Sequence, residues 1–252
     1  MNYEDKISLL AEYLKAPGPN YAFTGAGVST ESGIPDFRSP GTGLWEKVDP
    51  MKAASVSALH NNPAGFYDFF VGVYETVKDA KPNAAHLALA RLEQAGMIAG
   101  VITQNIDGLH HAAGSKQVWE VHGHMRSCHC MSCKKSYSME FLLEQYYAGT
   151  NPPRCSQCNG MLRPETVLFG DPMGEDFQGA YRAMFDCQLL VVVGSSLQVY
   201  PAASLPEWAK KLVIINRDPT PWDRRADLVI NEKLAGQVFN DLMRSLGLEV
   251  SN

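Results

Sequence analysis

The sequence predicts an α/β protein in which a doubly wound parallel sheet carries a smaller inserted domain. Short continuous apolar runs alternate with helical patterns along most of the chain, and such runs are typical of strands buried on both faces of a parallel sheet. A segment that holds five of the six cysteines interrupts this alternation. We therefore expect one large sheet domain and a second, smaller unit built from the interrupting segments.

The composition is that of an ordinary globular protein. Its 252 residues can bury a sizeable core, as one large domain or as one domain with an insertion. The 22 basic and 27 acidic residues give a net charge of −5, so no global positive field favours nucleic acid or an anionic membrane. The apolar runs are too short to span a bilayer, and the N-terminus lacks a signal-peptide pattern. We expect a cytoplasmic protein with neither a nucleic-acid nor a membrane partner.

The chain begins with a helical pattern over residues 3 to 15, where apolar residues recur at three- and four-residue steps. A short apolar run over 21 to 24 predicts a strand, and Gly25-x-Gly27 follows it. A glycine pair at a strand end lets the backbone turn tightly and leaves amides available for phosphate. The third glycine of the usual dinucleotide fingerprint would fall at Thr30, so an ordinary dehydrogenase is disfavoured.

The middle of the chain departs from the alternation. Residues 39 to 80 form an excursion with a loop over 39 to 43, then Trp45 and an aromatic segment over 66 to 74. We interpret the aromatic segment as a short helical module whose rings lie in a core. The alternation then resumes. The predicted helices cover 83–94, 174–185 and 234–246, and the predicted strands cover 99–103, 118–121, 189–193 and 211–215.

Polar clusters follow four of the predicted strands. They occupy residues 25–30, 104–107, 194–196 and position 216. The carboxyl ends of parallel strands meet at one edge of a doubly wound sheet, and ligands bind there. These four clusters are therefore candidates for one binding site.

The cysteines indicate a metal site. Cys130-x-x-Cys133 and Cys155-x-x-Cys158 can wrap four thiolates around one tetrahedral zinc ion, which in a closed site would be structural. Two disulfides or a redox dithiol pair are the alternatives, and a reducing compartment disfavours them. Cys128 could replace Cys130 in a looser loop, although the paired spacing favours Cys130.

Several long motifs, taken together and in order, resemble the sirtuin family over roughly residues 20 to 235. The motifs are Gly25-Ala-Gly-Val-Ser-Thr, Gly33-Ile-Pro-Asp-Phe-Arg38, Thr103-Gln-Asn-Ile-Asp107, His122-Gly123, the four cysteines, Phe169-Gly170-Asp171 and Gly194-Ser-Ser196. The resemblance implies a Rossmann-like domain made of residues 1–38, 81–124 and 165–252. It also implies a smaller zinc-binding and helical domain made of residues 39–80 and 125–164.

The resemblance further implies an NAD-dependent protein-lysine deacetylase. Such an enzyme uses NAD as a co-substrate and holds one structural zinc ion. It moves the acyl group from lysine to ADP-ribose, and it releases nicotinamide and O-acetyl-ADP-ribose. Two alternatives remain open: a protein ADP-ribosyltransferase on the same fold, and a non-catalytic NAD-sensing binding module.

By the same resemblance, His122 is the catalytic base, a role that suits an imidazole titrating near neutral pH. Asn105 positions ribose or a water molecule, and Phe37 shields the reactive carbon from water. The remaining histidines near these motifs, His110, His111 and His124, match no catalytic position. The other expected NAD contacts are Gly25, Ala26, Gly27, Thr30, Arg38, Gln104, Ile106, Asp107, Gly194, Ser195, Ser196, Asn216 and Arg217. For Phe37 the alternative is core packing, and for Asn216 it is a plain strand-end turn.

The expected protein substrate is an acetylated lysine side chain on an extended peptide. Val167, Phe169 and Val199 lie in two segments that resemble the edges of a peptide clamp, and Phe169 would line an apolar acyl tunnel. Family members that remove acidic acyl groups carry Tyr-x-x-Arg in the helical module. This chain has Tyr67-Asp68-Phe69-Phe70 there, so we expect a preference for uncharged acyl groups.

Overall fold

The structure is a computed structural model that describes residues 1–36 and 48–248. The predicted contacts of Phe37 and Arg38, the loop over 39 to 43 and Trp45 lie outside the described residues. In chain order the strands are β1 (Asn20–Thr24), β2 (Gly100–Thr103), β3 (Val118–Glu120), β4 (Gly123–Cys130), β5 (Ser136–Ser138), β6 (Leu162–Thr166), β7 (Leu189–Val193), β8 (Lys211–Ile215) and β9 (Leu228–Ile230). The helices are α1 (Tyr3–Lys15), α2 (Pro50–Ala53), α3 (Val56–Asn61), α4 (Pro63–Val77), α5 (Ala84–Gln94), α6 (Leu109–Ala112), α7 (Met139–Tyr147), α8 (Glu175–Met184) and α9 (Ala235–Leu246).

The predicted doubly wound sheet is confirmed. Six parallel strands are ordered β3-β2-β1-β7-β8-β9, so the chain leaves the central β1 first to one side and later to the other. Helices α1, α5 and α9 bury apolar side chains such as Leu10, Leu89 and Phe239 on one face. On the other face, α8 and the 3-10 helix Ala202–Trp208 contribute Met184 and Leu205. The resulting switch point lies beside the carboxyl end of β1, where such sheets bind ligands.

Three glycines let two strand ends approach each other closely at that switch point. Gly25 donates to the carbonyl oxygen of Val193 at 3.1 Å, and Gly27 donates to that of Gly194 at 2.8 Å. Gly194 has φ +60°, and a Cβ there would lie 2.2 Å from the backbone nitrogen of Val28. Glycine is therefore required at 194 by both conformation and space.

The inserted segments form a second core. Strands β5, β4 and β6 make an antiparallel sheet in that order, and α4 and α7 pack against it. The predicted aromatic core is confirmed: Phe66, Tyr67 and Phe70 are buried, and the rings of Phe66 and Phe70 stack at 6.2 Å. Helix α4 is longer than the short module we expected, because Asn62 caps it, Pro63 starts it and no further proline follows before Val77.

The predicted domain boundaries at 124/125 and 164/165 fall inside β4 and β6, respectively. The division into two domains stays a prediction. The sequence pattern also missed β9 and the 3-10 helix Ala202–Trp208, which are too short to show a period. Among the described residues, no helix has both the length and the apolar character needed to cross a bilayer.

Candidate functional site

A cavity of about 690 Å³ opens at the carboxyl ends of the central strands. It is large enough for a ligand of nucleotide size. Thirteen of the predicted site residues line it: Gly25, Ala26, Gly27, Thr30, Gln104, Asn105, His122, Gly194, Ser195, Ser196, Val199, Asn216 and Arg217. The lining also includes residues beyond these candidates, namely Asp36, Gln198, Ile215, Asp218, Pro219, Lys233, Leu234 and Ala235. The remaining described candidates, Ile106, Asp107, Val167 and Phe169, stand outside that lining.

His122 follows β3 and enters the cavity next to the end of β2. Its Nδ1 atom lies 3.0 Å from the carbonyl oxygen of Gln104. Because a carbonyl oxygen can only accept, the proton of the neutral imidazole is on Nδ1. Nε2 is therefore the basic nitrogen of this ring, and the backbone of β2 fixes its orientation.

The side chain of Gln104 joins the ends of β2 and β7. Its Nε2 atom donates to the hydroxyl of Ser195 at 2.7 Å, and that hydroxyl also accepts the amide of Leu197 at 3.2 Å. The predicted polar clusters at 104–107 and 194–196 are thus in direct contact. This bond keeps the floor of the cavity polar and rigid between two strand ends.

Behind the floor, Asn105 is almost fully buried and tied to the glycine turn. Its Nδ2 atom donates to the carbonyl oxygen of Gly25 at 3.2 Å and to the hydroxyl of Ser29 at 3.1 Å. Ser29 in turn donates to Asp107 at 2.7 Å, and the second oxygen of Asp107 accepts the amide of Leu109 at 2.9 Å. Ser29 was missed as a site residue, although its place inside the glycine motif was a signal.

Two buried histidines lie next to this network, with ring centres 4.8 Å apart. His86 accepts the backbone amide of Asn83 at Nδ1, and burial lowers the pKa of His86 to about 4. His110 contacts the hydroxyl of Thr24 at 2.9 Å, and burial holds the pKa of His110 well below its usual value. Both rings are therefore neutral at physiological pH and serve as hydrogen-bonding framework.

The far end of the cavity is formed by the turn after β8. Asn216 donates from its side chain to the carbonyl oxygen of Asp218 at 2.7 Å, so its amide closes a strand-end turn. Arg217 lies 3.2 Å from the Asp218 carboxylate. Both Asn216 and Arg217 also line the cavity, so a turn role and a ligand role are compatible here.

The expected peptide clamp is partly occupied by the protein itself. Phe169 donates to the carbonyl oxygen of Ala54 and accepts the amide of Val56, both at 3.0 Å. Val167 donates to the carbonyl oxygen of His122 at 2.8 Å. A peptide that adds to this segment would therefore pair with other main-chain groups. On the opposite side, Val199 lines the cavity.

Tyr67 uses its hydroxyl within the core. The side chain is fully buried, and the hydroxyl donates to the carbonyl oxygen of Leu162. Burial raises the pKa of Tyr67, so the phenol stays neutral. Phe70, which stands where acidic-acyl-removing relatives have arginine, is 5% exposed and packs in the same core.

The four predicted thiol ligands come together at the end of β4 and in the loop before β6. The sulfur atoms of Cys130, Cys133, Cys155 and Cys158 all lie within 4.8 Å of one another. Cys130 and Cys158 are 3.5 Å apart, and Cys133 and Cys155 are 3.6 Å apart. Tetrahedral zinc with bonds of about 2.3 Å places its sulfurs about 3.8 Å apart, so the four side chains fit this ion.

Cys128 stands outside that cluster. Its side chain is fully buried, its Sγ lies 3.6 Å from the carbonyl oxygen of Ser138, and burial raises its pKa to about 12. A thiol that stays protonated is a poor metal ligand. Cys187 is likewise buried, as expected for an ordinary core thiol, and burial raises its pKa to about 12.

Comparisons with known proteins agree with this geometry. A model of the Sir2 family matches residues 25–201. The NAD-dependent protein deacetylase 2 of Caldanaerobacter subterraneus subsp. tengcongensis is 48% identical over 240 residues, which cover 95% of this chain and 96% of that protein. A structure of Sir2 bound to acetylated peptide has a TM-score of 0.88 and 35% identity, and covers 97% of this chain and 100% of that chain. A structure of Sir2 in complex with an inhibitor, 2′-O-acetyl-ADP-ribose and a deacetylated peptide has a TM-score of 0.85 and 35% identity, and covers 96% of this chain and 99% of that chain.

Proposed function

This chain belongs to the Sir2 family, and from that premise we infer that it is an NAD-dependent protein-lysine deacetylase. It transfers the acyl group from a lysine side chain of a protein substrate to ADP-ribose, with release of nicotinamide. The observation that carries this conclusion is the position of His122. An imidazole with a fixed tautomer lies in a polar cavity between the glycine turn and the ends of β2 and β7.

The described residues fit NAD. The glycine turn presents Ala26 and Thr30 to one end of the cavity, where we assign them to phosphate, and the turn after β8 presents Asn216 at the other end. When bound, NAD supplies the ribose carbon from which nicotinamide departs and to which the acyl oxygen becomes attached. We assign the pyrophosphate to the glycine turn and the adenosine to the cavity end beside Ser195, Ser196 and Asn216.

His122 acts as the general base. Its Nδ1 proton is held by the Gln104 carbonyl oxygen, so Nε2 is the atom that accepts a proton from a ribose hydroxyl. The imidazolium that forms keeps its bond to Gln104, and the carbonyl dipole stabilises the new charge. A histidine fixed at one nitrogen in this way needs no reorientation during the reaction.

Asn105 lines the cavity, and Asp107 lies behind it. The Ser29 hydroxyl links their side chains, which fixes both against the glycine turn. We assign to Asn105 the orientation of ribose or a water molecule, and to Asp107 with Ile106 the nicotinamide carboxamide. The buried network excludes water from behind the site.

The zinc ion is structural. Cys130, Cys133, Cys155 and Cys158 would fill all four positions of a tetrahedral ion, which leaves no position for a water molecule or a substrate. The ion would tie β4 to the loop before β6. Because the four clustered cysteines must stay reduced to bind zinc, we propose that the protein works in a reducing compartment, the cytoplasm.

We further propose that the acyl group is uncharged. Tyr67 and Phe70 are both buried in the core of the inserted domain, so neither offers a partner for an acyl carboxylate. The adjacent Asp68 already accepts hydrogen bonds from Tyr146 at 2.8 Å and Asn151 at 2.9 Å. A second carboxylate there would meet negative charge.

The direct test is a product analysis by mass spectrometry. The protein is incubated with NAD and an acetyl-lysine peptide carrying an ¹⁸O-labelled acetyl oxygen. The proposal expects deacetylated peptide and O-acetyl-ADP-ribose in equal amounts, with the label in the acetyl-ADP-ribose. An ADP-ribosylated peptide would instead identify a transferase, and binding of NAD without any product would identify a sensing module.

A further inference from the structure

Two neighbouring chain segments each form part of the cavity wall. The turn wall is the 3-10 helix Ala26–Ser32, from which Ala26, Gly27 and Thr30 line the cavity. The loop wall is the segment 233–235, which ends on the first residue of α9, and all three of its residues line the cavity. The separation of these walls sets the width of the site in which NAD would lie.

A single side chain joins the two walls. The backbone amide of Gly236 donates to the Glu31 carboxylate at 2.6 Å, across 205 residues of sequence. Glu31 belongs to the turn wall, and Gly236 is the second residue of α9, directly after the loop wall. The N-cap residue of α9, Leu234, makes no side-chain capping bond, so Glu31 supplies the acceptor that this helix end lacks.

The space around Gly236 shows what this contact requires. A Cβ built on Gly236 would lie 2.9 Å from one carboxylate oxygen of Glu31 and 3.0 Å from the other. Gly236 is buried inside a helix, where any residue can adopt the backbone conformation. The absence of a side chain at 236 therefore gives room for the Glu31 carboxylate.

The far side of the loop wall is fastened to other elements. Lys233 lies 2.8 Å from Asp241 of α9 and 4.0 Å above the ring of Tyr3 in α1. The Tyr3 hydroxyl donates to Asp241 at 2.7 Å. The loop wall is thus anchored away from the cavity by Lys233, and Glu31 connects it to the turn wall.

We propose that Glu31 is a positioning residue that sets the separation of the turn wall and the loop wall before NAD binds. The inference rests on the proposed function, since it takes NAD as the ligand of the cavity. Glu31 itself touches none of the reacting atoms. Its loss weakens NAD binding because the walls must then be ordered during binding, and it leaves the chemical step unchanged once NAD is bound.

The experiment measures the dissociation constant for NAD by calorimetry, and kcat and KM for NAD with acetyl-lysine peptide. Glu31→Ala is expected to raise the dissociation constant and KM about fivefold, a modest factor because the glutamate is exposed, while kcat stays within about twofold. Glu31→Gln keeps a hydrogen-bond acceptor, so its dissociation constant and its KM for NAD are expected to lie between those of wild type and Glu31→Ala. Gly236→Ala displaces the Glu31 carboxylate, so its dissociation constant for NAD is expected to match that of Glu31→Ala. The double variant is expected to bind NAD no more weakly than either single variant.

Ser138→Ala is the matched control, because Ser138 caps α7 in the inserted domain at 3.4 Å from the Phe141 amide. It is expected to lower the melting temperature without moving KM for NAD. Hydrogen exchange in the ligand-free protein adds a separate readout: the Gly236 amide exchanges faster in Glu31→Ala. An unchanged dissociation constant for Glu31→Ala and Gly236→Ala, with wild type binding NAD, overturns the inference alone. A wild type that does not bind NAD overturns the proposed function and this inference together.

Discussion

The Nδ1 atom of His122 lies 3.0 Å from the carbonyl oxygen of Gln104, and the amide of the same peptide unit, on Asn105, donates to the Thr103 hydroxyl at 3.1 Å. The peptide unit after β2 is therefore held at both ends. Because it fixes the tautomer of His122, the end of one strand determines which imidazole nitrogen can accept a proton. Because the N–H of this peptide unit donates to an acceptor, its carbonyl oxygen is itself a stronger acceptor.

Asn105→Asp is expected to reduce kcat/KM for deacetylation about 100-fold or more. The Asn105 amide donates to the Gly25 carbonyl oxygen and the Ser29 hydroxyl, and an aspartate at this position would set a carboxylate against that carbonyl oxygen. Steady-state kinetics with acetyl-lysine peptide measure the effect. Asn61→Asp, an exposed change in α3, serves as the control. Equal activity of Asn105→Asp and wild type would contradict the role of the amide.

Cys133→Ser is expected to abolish stoichiometric zinc and to lower the melting temperature, because three thiolates leave the ion one ligand short. Cys128→Ser is the matched control, since its sulfur lies near the Ser138 carbonyl oxygen instead of joining the cluster. It should retain about one zinc ion per chain, as measured by plasma mass spectrometry. Loss of zinc from Cys128→Ser with retention in Cys133→Ser would show that the ligand set is wrong.

The inserted domain gives a test of acyl preference. Wild type is expected to prefer acetyl over succinyl peptide by about 100-fold in kcat/KM, because Tyr67 and Phe70 are buried in the core and offer no partner for the succinyl carboxylate. Phe70→Arg should lower the free energy of unfolding by about 3 kcal/mol or more instead of creating a carboxylate site, since it buries a charge in the core. Phe70→Leu is the control, because it keeps an apolar side chain in the core and should lower the free energy of unfolding by less than Phe70→Arg does. Efficient succinyl removal by wild type would refute the preference.

The buried histidines predict a loss of stability in mild acid. His86 has a pKa of about 4 because burial disfavours its charged form, whereas in the unfolded chain it titrates near 6.5. Between these two pKa values His86 is protonated in the unfolded chain and neutral in the folded protein. The free energy of unfolding therefore falls as the pH drops from 6.5 toward 4. From pH 7.5 to 5.5 the contribution of His86 is about 1 kcal/mol.

Urea unfolding at pH 7.5 and 5.5 measures this loss. His110 acts in the same direction, because burial lowers its pKa as well. His86→Asn should show a smaller drop than wild type, since asparagine does not titrate. His60→Asn, which changes an exposed histidine, should keep the full drop. Identical drops in wild type and His86→Asn would contradict the assigned pKa shift.

Local patterns predicted the elements that a period or a fixed spacing reveals. The apolar runs predicted both end residues of β7 and β8 correctly, and the CxxC pairs identified the four clustered thiols. The residues that the sequence missed act through distant partners. Ser29 meets Asp107 across 78 residues, and Glu31 meets Gly236 across 205 residues, so no window along the chain contains either pair. His110 matched no catalytic position, and only the fold shows that it lies beside His86 beneath the site.

The most direct test of the central claim is nicotinamide release from NAD by wild type and His122→Ala, with acetyl-lysine peptide, succinyl-lysine peptide or no peptide. We expect release by wild type to require the acetyl peptide, and deacetylation by His122→Ala to fall by about 100-fold or more, because the base is absent. His60→Ala should match wild type. Release that needs no peptide, or an unimpaired His122→Ala, would contradict a deacetylase that uses His122 as its base.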